Sequence, residues 1–113
     1  MHTTSTPLGR DVQRSGHPMR ICELVAQIEG ATYVARASLH TPNDIRRAKK
    51  AIRRAFETQL HGHGFALVEL LSNCPTNWGM TPRDALAWVE SHMLPVFPLG
   101  DYKVAPALAA IKI

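Results

Sequence analysis

Apolar residues cluster in two short runs that predict strands, with an amphipathic helical pattern between them. Phe65–Leu71 is apolar at nearly every position, which favours a strand covered on both faces. Ala31–Leu39 is short, lies between helix-breaking residues, and contains β-branched and aromatic side chains, so it predicts a second strand. A strand, a long helix and a strand in succession form a βαβ unit with parallel strands and a right-handed crossover.

The helix between the strands has clear start signals. Thr41 is a suitable N-cap, Pro42 fits the first helical position, and Asp44 lies where its charge favours the helix dipole. One side of the helix is apolar and is predicted to be buried; it contains Ile45, Ala48, Ile52, Ala55, Phe56 and Leu60. Basic residues occupy the other side.

Two further helices are predicted beside this unit. Pro18–Glu29 has an apolar face made of Ile21, Leu24, Val25 and Ile28. A second Thr-Pro-x-Asp signal at Thr81 begins a helix that ends before Pro95. The following residues to Lys103 are punctuated by Pro and Gly and are predicted to be extended.

These elements predict an α/β fold with one βαβ unit of a parallel sheet and flanking helices. We divide the chain into an extended N-terminal segment (1–17), an α/β part (18–103) and a tail (104–113). Two strands do not complete a sheet, and both of their outer edges would be open. We therefore expect the other strands upstream in a longer protein or in a partner.

The charge of the chain is concentrated in the central helix. The net charge is +4, and residues 41–61 contain six basic and two acidic side chains, which accounts for the whole excess. The aromatic content of this helix is a single core-facing Phe56, so it lacks the stacking platform typical of nucleic-acid binding. A solvated face, or a docking surface for an acidic partner, is the interpretation we favour.

The composition also bears on the compartment. No run approaches the ~20 apolar residues of a membrane span, and the N-terminus lacks the pattern of a secretory signal. Two cysteines, Cys22 and Cys74, are too few for a disulfide scaffold. We expect a cytoplasmic protein without a membrane partner.

Cys74 is the strongest candidate for chemistry. It comes just after the carboxyl end of the second strand, where open α/β sheets bind ligands. A thiol there could be a nucleophile, a redox centre or a metal ligand, or simply a buried thiol in a turn. Cys22 is predicted to be a core residue. The pair His61 and His63 could bind a metal, but a solvated turn is the preferred interpretation.

The segments that carry chemistry also resemble a known family. In chain order they are Gly9-Arg10-Asp11, Gly16-His17-Pro18-Met19-Arg20-Ile21-Cys22-Glu23-Leu24, Tyr33-Val34-Ala35-Arg36, Lys49-Lys50-Ala51-Ile52-Arg53-Arg54-Ala55-Phe56, Gly64-Phe65-Ala66-Leu67-Val68-Glu69, Cys74-Pro75-Thr76-Asn77-Trp78-Gly79-Met80-Thr81-Pro82 and Pro95-x-Phe97-Pro98-Leu99-Gly100. This order resembles the beta subunit of 2-oxoacid:ferredoxin oxidoreductases, most nearly the 2-oxoglutarate synthase type. The likeness extends from about Thr3 to Lys103.

The resemblance implies an enzyme that uses thiamine diphosphate and Mg2+ to decarboxylate a 2-oxoacid onto coenzyme A. Electrons would pass through a 4Fe-4S cluster to ferredoxin. Cys74 matches the family cysteine that completes this cluster, and Thr76 and Asn77 would lie near the cluster and the cofactor. The chain would form part of a thiamine-diphosphate-binding domain.

The family's Cys-x-x-Cys-Gly and Gly-Asp-Gly…Asn segments are absent from this sequence. We therefore expect the C-terminal portion of a beta subunit, whose partners are the missing N-terminal part and the alpha subunit. We also expect the isolated chain to bind neither cluster nor cofactor and to be inactive. The alternative is a small non-catalytic α/β module that binds an acidic partner through the basic helix 42–61.

Overall fold

The computed structural model describes residues 8–110, with the side chains of residues 109 and 110 left out. The helices are α1 (Val12–Ser15), α2 (Ile21–Val25), α3 (Pro42–Leu60), α4 (Pro75–Trp78) and α5 (Pro82–Trp88), which continues as a π-helical turn (Val89–Met93). The strands are β1 (Ala31–Ser38), β2 (Phe65–Leu71) and β3 (Gly100–Val104), and a 3-10 turn (Pro106–Ala110) follows. Parts of the predicted N-terminal segment (1–7) and tail (111–113) lie outside the described residues. In the described part of the segment predicted to be extended, α1 is helical, because the Asp11 side chain caps it by accepting from the Gln13 backbone N–H.

The predicted βαβ unit is confirmed. β1 and β2 pair in parallel from Ala31 opposite Phe65 to Ser38 opposite Leu71, and α3 connects them. The Thr41 side chain accepts a hydrogen bond from the Asp44 backbone N–H, as expected of an N-cap residue. The molecule therefore has the α/β class expected from the sequence.

A third strand adds to the predicted pair. β3 runs antiparallel to β1, with Tyr33 opposite Val104 and Arg36 opposite Gly100, so the strand order is β2-β1-β3. The sequence predicted only an extended segment here, because prolines and Gly100 punctuate it. In the structure Gly100 has a φ of 144°, which favours glycine. β1 becomes the central strand of a mixed sheet.

Helix α2 is shorter than the predicted Pro18–Glu29 helix. After Ala26, the backbone N–H groups of Gln27 and Ile28 donate to carbonyls three residues back, which converts the helix into tight turns. Most of the predicted apolar face stays uncovered within the described residues, since Leu24 is 54% and Ile28 57% exposed. Cys22 is instead the fully buried residue of this helix.

The core has a cluster on each face of the sheet and one at its carboxyl edge. Tyr33, Ala35 and Ala51 pack with Leu108 on the α3 face, so the residues treated as a tail contribute to the core. On the opposite face the cluster contains Cys22, Ala31 and Val34. The cluster at the carboxyl edge contains Leu71, Trp78, Ala85, Val89, Met93 and Phe97.

The apolar side of α3 is only partly buried, contrary to the prediction. Ala48 and Ala51 face the sheet and are covered. Four large side chains, here named the α3 apolar stripe, are exposed within the described residues: Ile45 (38%), Ile52 (36%), Phe56 (64%) and Leu60 (80%). The prediction was wrong for them because small alanines, which allow close approach of helix and strand, make the contact with the sheet. None of the described helices has the length and apolar character to cross a bilayer.

Candidate functional site at the carboxyl edge of the parallel strands

The parallel strands bring two loops to one edge of the sheet. Leu39 N–H donates to the Leu71 carbonyl (3.0 Å), which holds the chain after β1 against the end of β2. Cys74 follows β2 and immediately precedes α4, and Pro75 occupies the first position of this short helix. Cys74 therefore lies at the edge where ligands of open α/β sheets bind, as the sequence predicted.

The loop after Cys74 is more ordered than its composition suggests. Residues Pro75–Trp78 form helix α4, and Gly79 ends it with a left-handed φ of 64°, which favours glycine. Trp78 is only 9% exposed and packs with Leu71 at the carboxyl-edge cluster. Its ring also lies 4.9 Å from that of Trp88, between centroids. The motif thus has a rigid apolar base.

The Cys74 thiol is partly buried and forms no disulfide within the described residues, and we call it uncommitted because it also lacks a polar partner there. Within residues 8–110 its sulfur makes no hydrogen bond or ion pair, and it packs at the margin of the carboxyl-edge cluster. The indole Nε1–H of Trp78, four residues later, is buried and has no acceptor among the described residues. A buried donor without an acceptor is energetically unfavourable, so this position favours an acceptor supplied from outside the described part of the chain.

Thr76 and Asn77, the predicted cofactor neighbours, lie on α4 beside Cys74. Both are exposed. The structure therefore brings Cys74, Thr76 and Asn77 to one edge of the sheet, while their proposed roles remain predictions.

A cluster at the end of β1 escaped the sequence analysis. The Ser38 Oγ lies 2.6 Å from His40 Nδ1, and the Asp44 Oδ2 lies 3.7 Å from the same nitrogen. A relay needs the hydroxyl and the carboxylate on opposite ring nitrogens, so this arrangement is not a serine-hydrolase triad. It ties the end of β1 to the start of α3. The i, i+4 spacing of His40 and Asp44 was the signal that could have revealed it.

Cys22 and Glu69 meet on the face of the sheet opposite α3. The Cys22 thiol lies 3.2 Å from Glu69 Oε2 and 3.5 Å from the Ala35 carbonyl oxygen. Burial, and then the neighbouring Glu69, raise the pKa of Cys22 from 9.0 to about 12. The thiol stays protonated near neutral pH, as the prediction of a core cysteine requires.

Arg36 forms the centre of a buried charge network. Its guanidinium donates bidentately to Glu23 (3.0 and 2.7 Å) and through Nε to Glu69 (2.6 Å). It also donates to the Tyr102 hydroxyl (2.8 Å), which in turn donates to the Pro98 carbonyl. Burial opposes the charge of Arg36, but the hydrogen bonds that it donates to Glu23 and Glu69 prevail and raise its pKa. Hydrogen bonding to Arg36 lowers the pKa of Glu23.

The histidines of the α3–β2 turn do not form a metal site by themselves. The rings of His61 and His63 stack with centroids 6.1 Å apart. The His61 Nδ1 lies 2.8 Å from the backbone carbonyl of Glu57. Across residues 8–110 there is no group of three or more His, Cys, Asp and Glu side chains that could hold a metal ion. Any metal bound at His61 or at Cys74 would need ligands from elsewhere.

Comparison with known proteins defines the class to which this geometry is related. The chain matches no protein-family model and no solved structure. It is similar to subunits of 2-oxoacid oxidoreductases and synthases, the class that the motifs around Cys74 resemble.

Three relatives show the extent of this similarity. The ketoisovalerate oxidoreductase subunit VorA of Methanothermobacter thermautotrophicus is 39% identical over 101 residues, covering 89% of this chain and 21% of that protein. The 2-oxoglutarate synthase subunit KorB of Archaeoglobus fulgidus is 38% identical over 90 residues, covering 80% of this chain and 29% of that protein. The pyruvate synthase subunit PorB of Methanocaldococcus jannaschii is 26% identical over 109 residues, covering 90% of this chain and 34% of that protein. The chain thus spans between a fifth and about a third of these relatives.

Proposed function

We propose that this chain is part of a 2-oxoacid:ferredoxin oxidoreductase subunit and supplies one edge of its active-site region. The observation that carries the proposal is the uncommitted Cys74 thiol at the carboxyl edge of the parallel strands. It lies within a chain that is similar over most of its length to such subunits. In this role the protein would act in the cytoplasm and pass electrons to ferredoxin.

Cys74 fits the role of one ligand to a 4Fe-4S cluster. Its sulfur has no competing partner in the described part of the chain, and clusters are held by cysteine thiolates. When bound, such a cluster supplies one-electron transfer. Cys22 cannot serve as a second cluster ligand. It is buried in the core against Ala31 and Val34, and its pKa is raised to about 12. The remaining ligands would come from the missing part of the subunit.

Trp78 supports the same proposal. Its buried Nε1–H lacks an acceptor in the described residues and belongs to the short helix that Cys74 precedes. Hydrogen bonds to sulfur atoms of a cluster or of its ligands tune the reduction potential of the cluster. The Trp78 Nε1–H would donate such a hydrogen bond to a cluster bound at Cys74.

Thiamine diphosphate and Mg2+ would be bound mainly outside this chain. Thr76 and Asn77 are exposed at the Cys74 edge, where they would contact a cofactor held by another segment. Residues 8–110 contain no group of three or more His, Cys, Asp and Glu side chains that could hold a metal ion. The preferred substrate in this proposal is 2-oxoglutarate, with coenzyme A as acyl acceptor, although the relatives are named for three different 2-oxoacids.

The remainder of the subunit is the partner that best fits the uncovered surfaces. β2 has an unpaired outer edge in the described sheet, with Phe65 52% and Leu70 37% exposed. Next to it, a groove of about 230 Å³ runs between Phe56 and Ile52 of α3 and Val68 of β2. An open apolar edge of this kind is a liability unless another strand covers it. We propose that the missing part of the subunit adds a strand there, and that the alpha subunit completes the enzyme.

The test is a chimera of the Archaeoglobus fulgidus KorB subunit in which this chain replaces the matched segment. Co-expressed with its partner subunits, the chimera is expected to retain bound iron and to reduce a viologen dye when 2-oxoglutarate is added. Cys74→Ala should lower the iron content and abolish the cluster's electron paramagnetic resonance signal. Cys22→Ala is the matched control and should keep both the iron content and the electron paramagnetic resonance signal. An assembled chimera without iron, or full iron in Cys74→Ala, would contradict the proposal.

A second candidate function is docking of an acidic protein on α3. Arg46, Lys49 and Arg53 are exposed on this helix, which favours the proposal. Association driven by these charges would weaken steeply with salt. Binding that persists in high salt and is lost on replacing Phe56 would instead favour the apolar edge.

A further inference from the structure

A cavity of about 510 Å³ is lined by residues of α3 and of the strands β1 and β3. Its cationic wall consists of Arg47, Lys50 and Arg54, which follow one another at helical spacing along α3. Its apolar lining, here named the floor, includes Tyr33 and Ala35 of β1 and Leu99. The volume lies within the range of about 300–1,000 Å³ that is typical of small-molecule sites.

Arg54 has hydrogen-bonding capacity that the described residues leave unused. Its Nε is buried and has no acceptor among them. Its nearest carboxylate, Asp101, is 4.0 Å away, which is the outer limit of an ion pair. The guanidinium lies over the Tyr33 ring, 5.4 Å from its centroid, so the ring fixes its orientation.

The neighbouring charges leave a net positive site. Lys50 forms no ion pair or hydrogen bond within residues 8–110, and Arg47 is 3.5 Å from Asp44. The two carboxylates already have other partners: Asp44 accepts from Thr41, and Asp101 accepts from the Tyr33 hydroxyl at 3.3 Å. The lining also includes Arg36, whose guanidinium is held by Glu23 and Glu69. The other three cations of the lining face two carboxylates that also accept hydrogen bonds from neutral groups.

We propose that this cavity binds a phosphate monoester, with the phosphate between Arg54 and Lys50. An arginine fork and a lysine ammonium are the donors that phosphate oxygens prefer, and a phosphate would satisfy the orphaned Nε of Arg54. The organic group of the monoester would lie on the apolar floor. Asp44 and Asp101, which also line the cavity, would repel the additional charges of a polyphosphate. The proposal does not depend on the function proposed for Cys74.

The experiment titrates the full chain with inorganic phosphate and, separately, with adenosine 5′-monophosphate, using calorimetry and amide chemical shifts. We expect shifts centred on residues of the cavity wall, and tighter binding of the nucleotide if the floor contributes. Arg54→Gln and Lys50→Ala should each weaken binding about tenfold or more. Lys49→Ala and Arg53→Ala are the matched controls on the same helix and should leave binding unchanged.

The outcomes separate the alternatives. Binding that is lost equally in the controls would show only general attraction to a basic helix and would overturn the proposal, as would no binding of either ligand. Arg54→Lys keeps the charge but removes the fork, so it tests the geometry if Arg54→Gln does not fold. A cavity that binds both ligands with the expected variant pattern supports a phosphate site, and equal affinity for the two assigns the recognition to the phosphate alone.

Discussion

Replacing Arg36 by methionine should reveal how strongly this chain depends on its buried charge network. Arg36 is only 2% exposed, and it holds Glu23 at 2.7 Å and Glu69 at 2.6 Å. Methionine fills much of the same volume but leaves the two carboxylates, with 29% and 26% of their side chains exposed, without their cation. The change therefore tests the electrostatic role of Arg36 with little loss of packing.

The expected loss follows from the burial of the partners. Removing one member of a buried ion pair typically destabilises a protein by about 3–5 kcal/mol. Because about a quarter of each carboxylate remains in water, we expect a loss near the lower end, about 3 kcal/mol. A domain of this size has a free energy of unfolding of about 5–15 kcal/mol, so the variant should lose a substantial fraction.

The assay is urea unfolding followed by tryptophan fluorescence, repeated from neutral pH to acid. The pKa of Glu23 is lowered below its ordinary value of 4.5 by the hydrogen bonds to Arg36. This group therefore stabilises the wild-type fold above pH 4.5, and the contribution disappears as the pH falls through the lowered pKa. In Arg36→Met, the carboxylates of Glu23 and Glu69 have no cation beside them, and in acid they become protonated and lose their charge. The free energies of unfolding of the two proteins should therefore converge at low pH.

Two further variants make this result specific. Arg53→Met changes a side chain that is 71% exposed and 4.0 Å from Glu57, so it should lose less than about 1 kcal/mol. Adding Glu23→Gln and Glu69→Gln to Arg36→Met should restore part of the stability, because no charge is then left unpaired. If Arg36→Met lost no more than Arg53→Met, or if its deficit did not shrink in acid, the electrostatic explanation would be refuted.

The remaining predictions concern the thiols and the core. Alkylation of the native chain with iodoacetamide should label Cys74 and spare Cys22 until unfolding, as read by mass spectrometry; the reverse order would refute the assignment of Cys22 to the core. Because burial raises the pKa of Cys22 to about 12, stability should fall as the pH rises above 9.0, and Cys22→Ala should remove that part of the slope. Leu108→Ala should cost about 2–5 kcal/mol in urea unfolding, whereas Leu60→Ala, at a side chain that is 80% exposed, should change stability little.

Local signals predicted the elements well because they act within a few residues. The cap at Thr41 and the apolar run of β2 were found at the expected positions, since capping and strand preference depend on nearby side chains. The prediction that β2 is covered on both faces was wrong for the described residues, in which only Leu71 of this strand is buried. The α3 apolar stripe was misjudged for the opposite reason. Periodicity shows that a face is apolar but not which polypeptide covers it, and alanines rather than Ile52 or Phe56 contact this sheet.

The position of Cys74 at the carboxyl edge of the sheet could be predicted from the sequence, but the packing beneath it could not. The position follows from topology, because a residue after a parallel strand must lie at the carboxyl edge. The base beneath it, formed by Trp78 against Leu71, depends on long-range packing that no short pattern encodes. The same limit applies to β3, whose pairing with β1 joins residues far apart in the sequence.

The Arg36 network shows how a single sequence anomaly becomes informative once the register is known. Glu69 is the one charged residue in an otherwise apolar strand, and the sequence alone allows either a position near the strand end or a polar partner. In the parallel register, Arg36 lies directly opposite Glu69. Burying an arginine requires more acceptors than one carboxylate, and Glu23 of α2 and Tyr102 of β3 supply them. The network thereby fixes α2 and β3 on β1. The charge of Glu69, which interrupts the apolar pattern of β2, thus helps to determine which segments pack against the sheet.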